Sequence, residues 1–204
     1  MPRAGLTRQG LTEAGARLAD AEGIEALTLA ALAQQFGVRQ PSLYKHVDGL
    51  PALRREIRLL ALRELNAEVA TAAVGRSGSE ALLAVASAYR SYAAQHPGRY
   101  AASVAAPPEA DAELQQAASA LLATISAVLR GFGLDGDDAI HAIRGLRALL
   151  HGFVALESAG GFAMPQDLEE SYRRLILGFD ASVRASVAVT SPTRRAARRV
   201  KAIH

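Results

Sequence analysis

LTLAALAQQFGVRQPSLYKHVDGLPAL, residues Leu27 to Leu53, decides how the whole chain is read. Thr28 precedes Leu29, Leu32, Ala33 and Phe36, an N-cap residue followed by apolar positions at helical spacing. Gly37 closes that short helix. Val38 and Arg39 form a tight link. Pro41 then stands in the first turn of the next helix, where its missing N–H costs nothing. On a helical wheel Leu43 and Val47 share the buried face. Pro41, Ser42 and Lys45 point away from it, and Tyr44 and His46 flank it. Two short helices joined by a glycine-containing turn, the second polar on its outer face, predict a helix-turn-helix whose second helix enters the major groove.

The surrounding sequence extends this pattern. Upstream, Thr7 caps a helix carrying Leu11, Ala14, Leu18 and Ala21 on one face. Gly15 on that face lets a neighbouring helix come close, and Gly23 stops it. Downstream, Asp48 reads as the N-cap of a long helix through Leu50, Leu53, Ile57, Leu60 and Leu65 to about Ala73. Breaks at Gly75–Gly78, Pro97, Pro107–Pro108, Gly133–Gly136 and Gly160–Gly161 divide the remainder into further helices over 79–96, 97–105, 111–131, 137–159 and 165–186. The reading is an all-α chain of about nine helices. It divides into a three-helix DNA-binding domain over 1–48, a helical ligand-binding and dimerisation domain over 49–189, and a basic mobile tail over 190–204.

Composition agrees with this. Of 204 residues, 50% are hydrophobic and 5% aromatic, with no Trp and no Cys. Neither a disulfide framework nor a thiolate metal site is possible. No signal-like segment opens the chain. The most apolar run, Ala117 to Leu129, is broken by Ser119, Thr124 and Ser126 and reads as too short and too polar to span a bilayer. A soluble, cytoplasmic protein without membrane association is expected. Charge is unevenly spread: 9 Lys/Arg against 7 Asp/Glu up to Asn66, 9 against 13 from Ala67 to Val189, and 5 against none from Thr190 on. That division suggests two functions on one chain.

Leu27 to Leu53, with the preceding ARLADAEGIEALT (Ala16 to Thr28), resembles the DNA-binding segment of the TetR family of bacterial transcriptional regulators. LHGFVALESAGGFAMPQDLEESYRRLILGF (Leu150 to Phe179) resembles the subgroup with a Trp-His-Gly signature, here with Leu150 at the Trp position. The resemblance implies a homodimeric regulator, a repressor released from a palindromic operator when a small molecule fills the second domain. Carried over by position, Thr28 contacts a phosphate. Gln40, Pro41, Ser42 and Tyr44 meet bases or the sugar-phosphate edge, and Lys45 and His46 meet phosphates. Arg39 stands where it could pair with a guanine edge. Many family members carry a phosphate-gripping Lys at the start of the long helix. Asp48-Gly49-Leu50-Pro51 has none, so Arg3, Arg8 and Lys45, with Arg54 and Arg55 as further candidates, are expected to supply that grip.

In the second domain Gly145, Ala148 and Gly152 let another helix approach, and Leu156 extends the apolar stripe. With Leu168, Tyr172, Leu175 and Phe179 they form the expected dimer interface. Tyr89, Tyr92, His96, His141, Arg144 and His151 are the candidate polar anchors of a ligand pocket. No HExxH, GxSxG, P-loop or GxGxxG motif is present, so no enzyme, cofactor or metal is expected. A different class of function stays open: a helical ligand- or partner-binding module whose helix-turn-helix is weak or vestigial.

Overall fold

The structure, a computed structural model, describes residues 6–190. They form α1 (Arg8–Glu22), a 3-10 turn (Ile24–Ala26), α2 (Leu29–Phe36), a 3-10 segment (Gln40–Lys45), α3 (Gly49–Ala73), α4 (Gly78–Gln95), α5 (Pro97–Ser103), α6 (Ala112–Arg130), α7 (Gly136–Ser158) and α8 (Leu168–Thr190). The all-α expectation holds, and the nine expected helices are these eight and the 3-10 segment. Arg3, and the tail beyond Thr190, lie outside the described residues.

Local chemistry sets the helix boundaries. The Thr7 hydroxyl accepts the Gly10 amide and caps α1. Thr28 does the same for α2 with the Ala31 amide. Asp111 caps α6 by accepting the Leu114 amide at 3.1 Å. The last helix begins at Leu168, not at Pro165, because Asp167 accepts the Glu169 amide at 2.8 Å and supplies the N-cap that Pro165 cannot.

Compactness divides the chain elsewhere than at residue 48. One unit holds residues through Ala67 together with Ser91–Leu121; the other holds Glu68–Arg90 and the residues from Leu122 on. In the first unit, Leu11, Ala14, Leu27, Leu29, Leu32, Leu43, Val47, Leu53 and Ile57 form one buried core. The helix-turn-helix therefore shares its interior with the first turns of α3. A second cluster, Leu59, Leu62, Leu114 and Ala117, joins α3 to α6. Arg55 reinforces that joint, reaching Asp111 from Nε at 2.5 Å and Nη2 at 2.8 Å, and Glu113 at 3.0 Å.

In the second unit Leu146, Leu150, Phe153, Val154, Tyr172, Ile176 and Val183 are buried. Arg90 of α4 stacks on the rings of Phe153 and Tyr172, 5.2 and 4.9 Å from their centroids. It also pairs with Glu157 and Glu169, each at 2.6 Å. One cation thus ties α4 to α7 and α8. The Tyr172 hydroxyl donates to the Ala86 carbonyl at 2.7 Å. Helices α6 and α7 run for 19 and 23 residues, longer than the apolar run read from sequence. Both are apolar enough to cross a membrane by length and composition alone. That is weak evidence: α7 carries Asp137, Asp138, His141, Arg144, Arg147 and His151 along its length.

Candidate nucleic-acid interface

Gly37 makes the turn between α2 and the recognition segment possible. Its φ of 65° and ψ of 32° lie in the left-handed region, and its amide and that of Val38 close onto the last carbonyls of α2. The chain then extends at Arg39 and coils at Gln40–Lys45 as a 3-10 helix with proline in its first turn. The sequence pattern predicted an α-helix here. The segment is only six residues long with Pro41 at its second position, and short 3-10 runs are common in such pieces.

In a 3-10 helix residues three apart are eclipsed. Leu43 and His46 form the inward row, Pro41 and Tyr44 a second, Ser42 and Lys45 a third. Leu43 is fully buried, His46 and Ser42 half-buried, and Gln40, Pro41, Tyr44 and Lys45 exposed. Tyr44 keeps 53% of its surface, unusual for an aromatic with no apolar cover. Val47 returns to the core and donates to the Leu43 carbonyl at 3.1 Å. Arg39 and Gln40, at the mouth of the segment, are exposed. Thr28 is exposed as well; its oxygen caps α2 at 3.1 Å and its O–H remains a donor for a phosphate oxygen.

Ion pairing separates the basic residues into two groups. Arg8 pairs with Glu56 at 2.7 Å, and Arg54 with Glu25 at 3.1 Å and the Ile24 carbonyl at 3.3 Å. Arg55 is held by Asp111, Glu113 and Glu56. Each of these three, expected to serve phosphates, is paired with a carboxylate. Arg39 and Lys45 make no ion pair among the described residues.

The six candidate ligand anchors fall in both units. Tyr92 and His96 lie in the first. The Tyr92 hydroxyl donates to the Ala61 carbonyl at 3.2 Å and to Glu64 at 3.1 Å. Burial, and then the Glu64 carboxylate, push its phenol well above the ordinary range. His96 stands 3.4 Å from Asp20 and tilts against the Tyr92 ring. Tyr89, His141, Arg144 and His151 lie in the second unit: Tyr89 buried, His151 half-buried, His141 and Arg144 exposed. A surface cleft of about 640 Å³ lined by Arg17, Leu18, Ala21, Glu22, Ala31, Gln34 and Gln35 includes none of the six.

Among the expected dimer residues, Gly145, Ala148, Gly152 and Leu156 are exposed on α7, and Leu168, Leu175 and Phe179 are half-buried on α8. Tyr172, by contrast, is 2% exposed and packs inside its own chain. The sequence reading missed Gly178. Gly152 and Gly178 both sit mid-helix, exposed, with open space where a Cβ would project. The signal was there: a glycine in a helix interior costs about 1 kcal/mol against alanine and calls for a reason.

A core-anchored segment that presents an arginine, a glutamine, a tyrosine and a lysine outward, behind a threonine-capped helix, defines a helix-turn-helix DNA-binding regulator. Relatives place it further. Residues 82–179 match the family described as tetracyclin repressor-like, C-terminal domain. The chain is 38% identical over 170 residues to the helix-turn-helix transcriptional regulator YobS of Bacillus subtilis, spanning 83% of this chain and 88% of that one. It is 41% identical over 156 residues to the helix-turn-helix transcriptional regulator Rv0681 of Mycobacterium tuberculosis, spanning 76% and 72%. A TetR variant from Acinetobacter baumannii, solved in complex with minocycline, shares the fold with a TM-score of 0.63 at 20% identity, over 90% of this chain and 97% of that one. The protein belongs to the TetR family of DNA-binding transcriptional regulators.

Proposed function

We propose that this regulator is a cytoplasmic homodimeric repressor that binds a palindromic operator and leaves it when a small molecule occupies the helical domain. Arg39 and Lys45, without an ion-pair partner among the described residues and on a segment anchored by Leu43 and Val47, carry the reading of the DNA face. In this assignment Arg39, Gln40, Pro41, Ser42 and Tyr44 meet base edges or the adjoining sugars, and Thr28, Lys45 and His46 hold phosphates. Phosphate contacts fix the register, and base contacts select the sequence.

The dimer rests on α7 and α8. Gly152 and Gly178 leave room that no side chain of their own chain fills. A second copy bringing its own pair against them explains why helix interiors keep two costly glycines. Two heads on such a seam read half-sites about 34–36 Å apart, or a multiple of that. The TetR relative with minocycline supports a small-molecule effector here. Of the candidate anchors, His151, half-buried among apolar neighbours on α7, is the foremost. The effector must favour the non-operator arrangement of the heads, because a ligand shifts an equilibrium only by its differential affinity.

Binding-site selection from a random duplex pool tests the assignment, followed by gel shift on the DNA flanking the protein's own gene. Enrichment of an inverted repeat supports it. No enrichment and no shift at low salt favour the partner-binding module with a vestigial helix-turn-helix.

A further inference from the structure

Helix α1 is gripped on two flanks by contacts without slack. Towards α3 it presents Gly15, where a Cβ would stand 3.0 Å from Ile57 Cδ1 and 3.6 Å from Leu53 Cδ2. Towards α5 the fit is closer still. A Cβ on Gly98 would stand 2.1 Å from the carbonyl carbon and oxygen of Ala19 and 2.6 Å from the Asp20 nitrogen. Backbone lies directly on backbone, and only glycine permits it.

Asp20 converts this close approach into a bonded joint. Helix α5 lacks a cap of its own: His96 at the N-cap makes no side-chain capping bond, and proline occupies its first turn. Asp20 supplies the cap from α1, its Oδ1 accepting the Arg99 amide at 2.9 Å. Its Oδ2 lies 3.0 Å from Arg99 Nε and 3.4 Å from His96 Nδ1. Arg99 in turn donates from Nη1 to both oxygens of Glu64 on α3, at 3.2 and 3.1 Å. Glu64 also accepts the Tyr92 hydroxyl of α4. The chain Asp20–Arg99–Glu64–Tyr92 therefore joins α1, α5, α3 and α4. The side chains of Asp20 and Arg99 are each only 14% exposed.

Stability alone does not call for such an arrangement. A largely buried ion pair is often no better than apolar residues of the same volume, and what it adds is a single allowed geometry. Geometry matters here because α1 shares one core with α2 and the recognition segment, through Leu11, Leu32 and Leu43. Where α1 is seated, the outward row of side chains is seated too.

We propose that Asp20 is a positioning residue for sequence-specific DNA binding. It locks α1, and with it the segment Gln40–Lys45, in the pose from which base edges can be read. This rests on the assignment of that segment as the recognition element. Base contacts require placement within a fraction of an ångström, whereas attraction to phosphates tolerates a loosened head. Loss of the joint separates the two kinds of binding.

The test uses the full-length protein and two duplexes: the one most enriched by wild type from a random pool, and a scrambled control. Asp20→Ala is expected to weaken binding to the enriched duplex by about tenfold while binding to the scrambled duplex and its salt dependence stay unchanged. Asp20→Asn keeps an acceptor for the Arg99 amide and is expected to recover part of the loss. Gly98→Ala forces a methyl against the Ala19 backbone without altering a charge and is expected to reproduce the selective loss. Thermal melts accompany each variant; should Asp20→Ala not fold, Asp20→Asn and Gly98→Ala decide the matter. Unchanged preference for the enriched duplex in the folded variants, or an equal fall on both duplexes, overturns the proposal. Lys45→Ala is the control. If it leaves wild-type affinity on both duplexes, the recognition-segment assignment has failed; if it weakens both while the joint variants keep the preference, only the Asp20 proposal has failed.

Discussion

Arg55 holds Asp111 through two bonds, Nε to Oδ2 at 2.5 Å and Nη2 to Oδ1 at 2.8 Å, while the same carboxylate caps α6 through the Leu114 amide. One acidic side chain thus ends a loop, begins a helix and fastens that helix to α3. The Arg55 guanidinium, and then the Leu114 amide, hold the Asp111 carboxyl down from its ordinary 3.8 to about 2. Glu113 is lowered as well, first by Arg55 and then, against the cost of burial, by Arg63.

Acid should therefore undo this joint over a defined window. A carboxylate whose pKa falls on folding contributes stability that is present above its unfolded value and lost as pH drops through its folded one. For Asp111 that window runs from 3.8 down to about 2. Melting temperatures of wild type and Arg55→Gln are expected to differ at neutral pH and to converge across that range. A constant gap throughout would count against the joint.

The salt dependence of DNA binding reports on Lys45. Its ammonium has no carboxylate partner among the described residues and is free to displace a counterion from DNA. Lys45→Ala is expected to weaken binding to every sequence and to lower the slope of log K against log salt by about one unit. Arg54→Ala, already neutralised by Glu25, is expected to leave that slope unchanged. Fluorescence anisotropy across a salt series distinguishes the two.

Sequence preference depends on other residues. Tyr44→Ala and Arg39→Ala are each expected to lose about 1–3 kcal/mol of discrimination at one operator position, with scrambled-duplex binding reduced for Arg39 only. Binding to single-substitution operators measures this directly.

The proposed self-association is tested at Gly152. A Cβ added at Gly152 has nothing within 4 Å among the described residues, so Gly152→Val should leave the monomer folded and disrupt a helix–helix seam. Light scattering is expected to show monomer where wild type shows dimer, with unchanged helicity by circular dichroism. A dimer of wild-type strength would remove Gly152 from the interface.

Capping at α2 has its own cost. Thr28→Ala loses the bond to the Ala31 amide and is expected to cost about 1 kcal/mol in denaturant unfolding. The same variant is expected to lose affinity for all DNA, because the exposed O–H goes with it.

Helices, caps and breaks were legible because they are local. Thr7, Thr28, Gly23 and Gly37 each act on atoms within a few residues, and Leu43 and Val47 declared their buried face by spacing alone. The exposure of Arg39, Gln40, Pro41, Tyr44 and Lys45 was legible for the same reason. What a short segment's spacing could not settle was its winding, since six residues fit an α or a 3-10 helix with the same two apolar contacts.

By itself, then, the sequence determined an all-helical chain, most of its breaks, and a helix-turn-helix with a polar outer face, because propensity, capping and apolar period are properties of neighbouring residues. Only the tertiary structure decided which charges remain free. Arg8, Arg54 and Arg55 look like phosphate ligands in the sequence, and they pair with Glu56, Glu25 and Asp111, which lie 48, 29 and 56 residues away. It also decided that Gly98 lies flush on Ala19 and that Asp20 caps a helix 79 residues further along. Such pairings are set by where distant backbones meet, and no local pattern in the chain records that meeting.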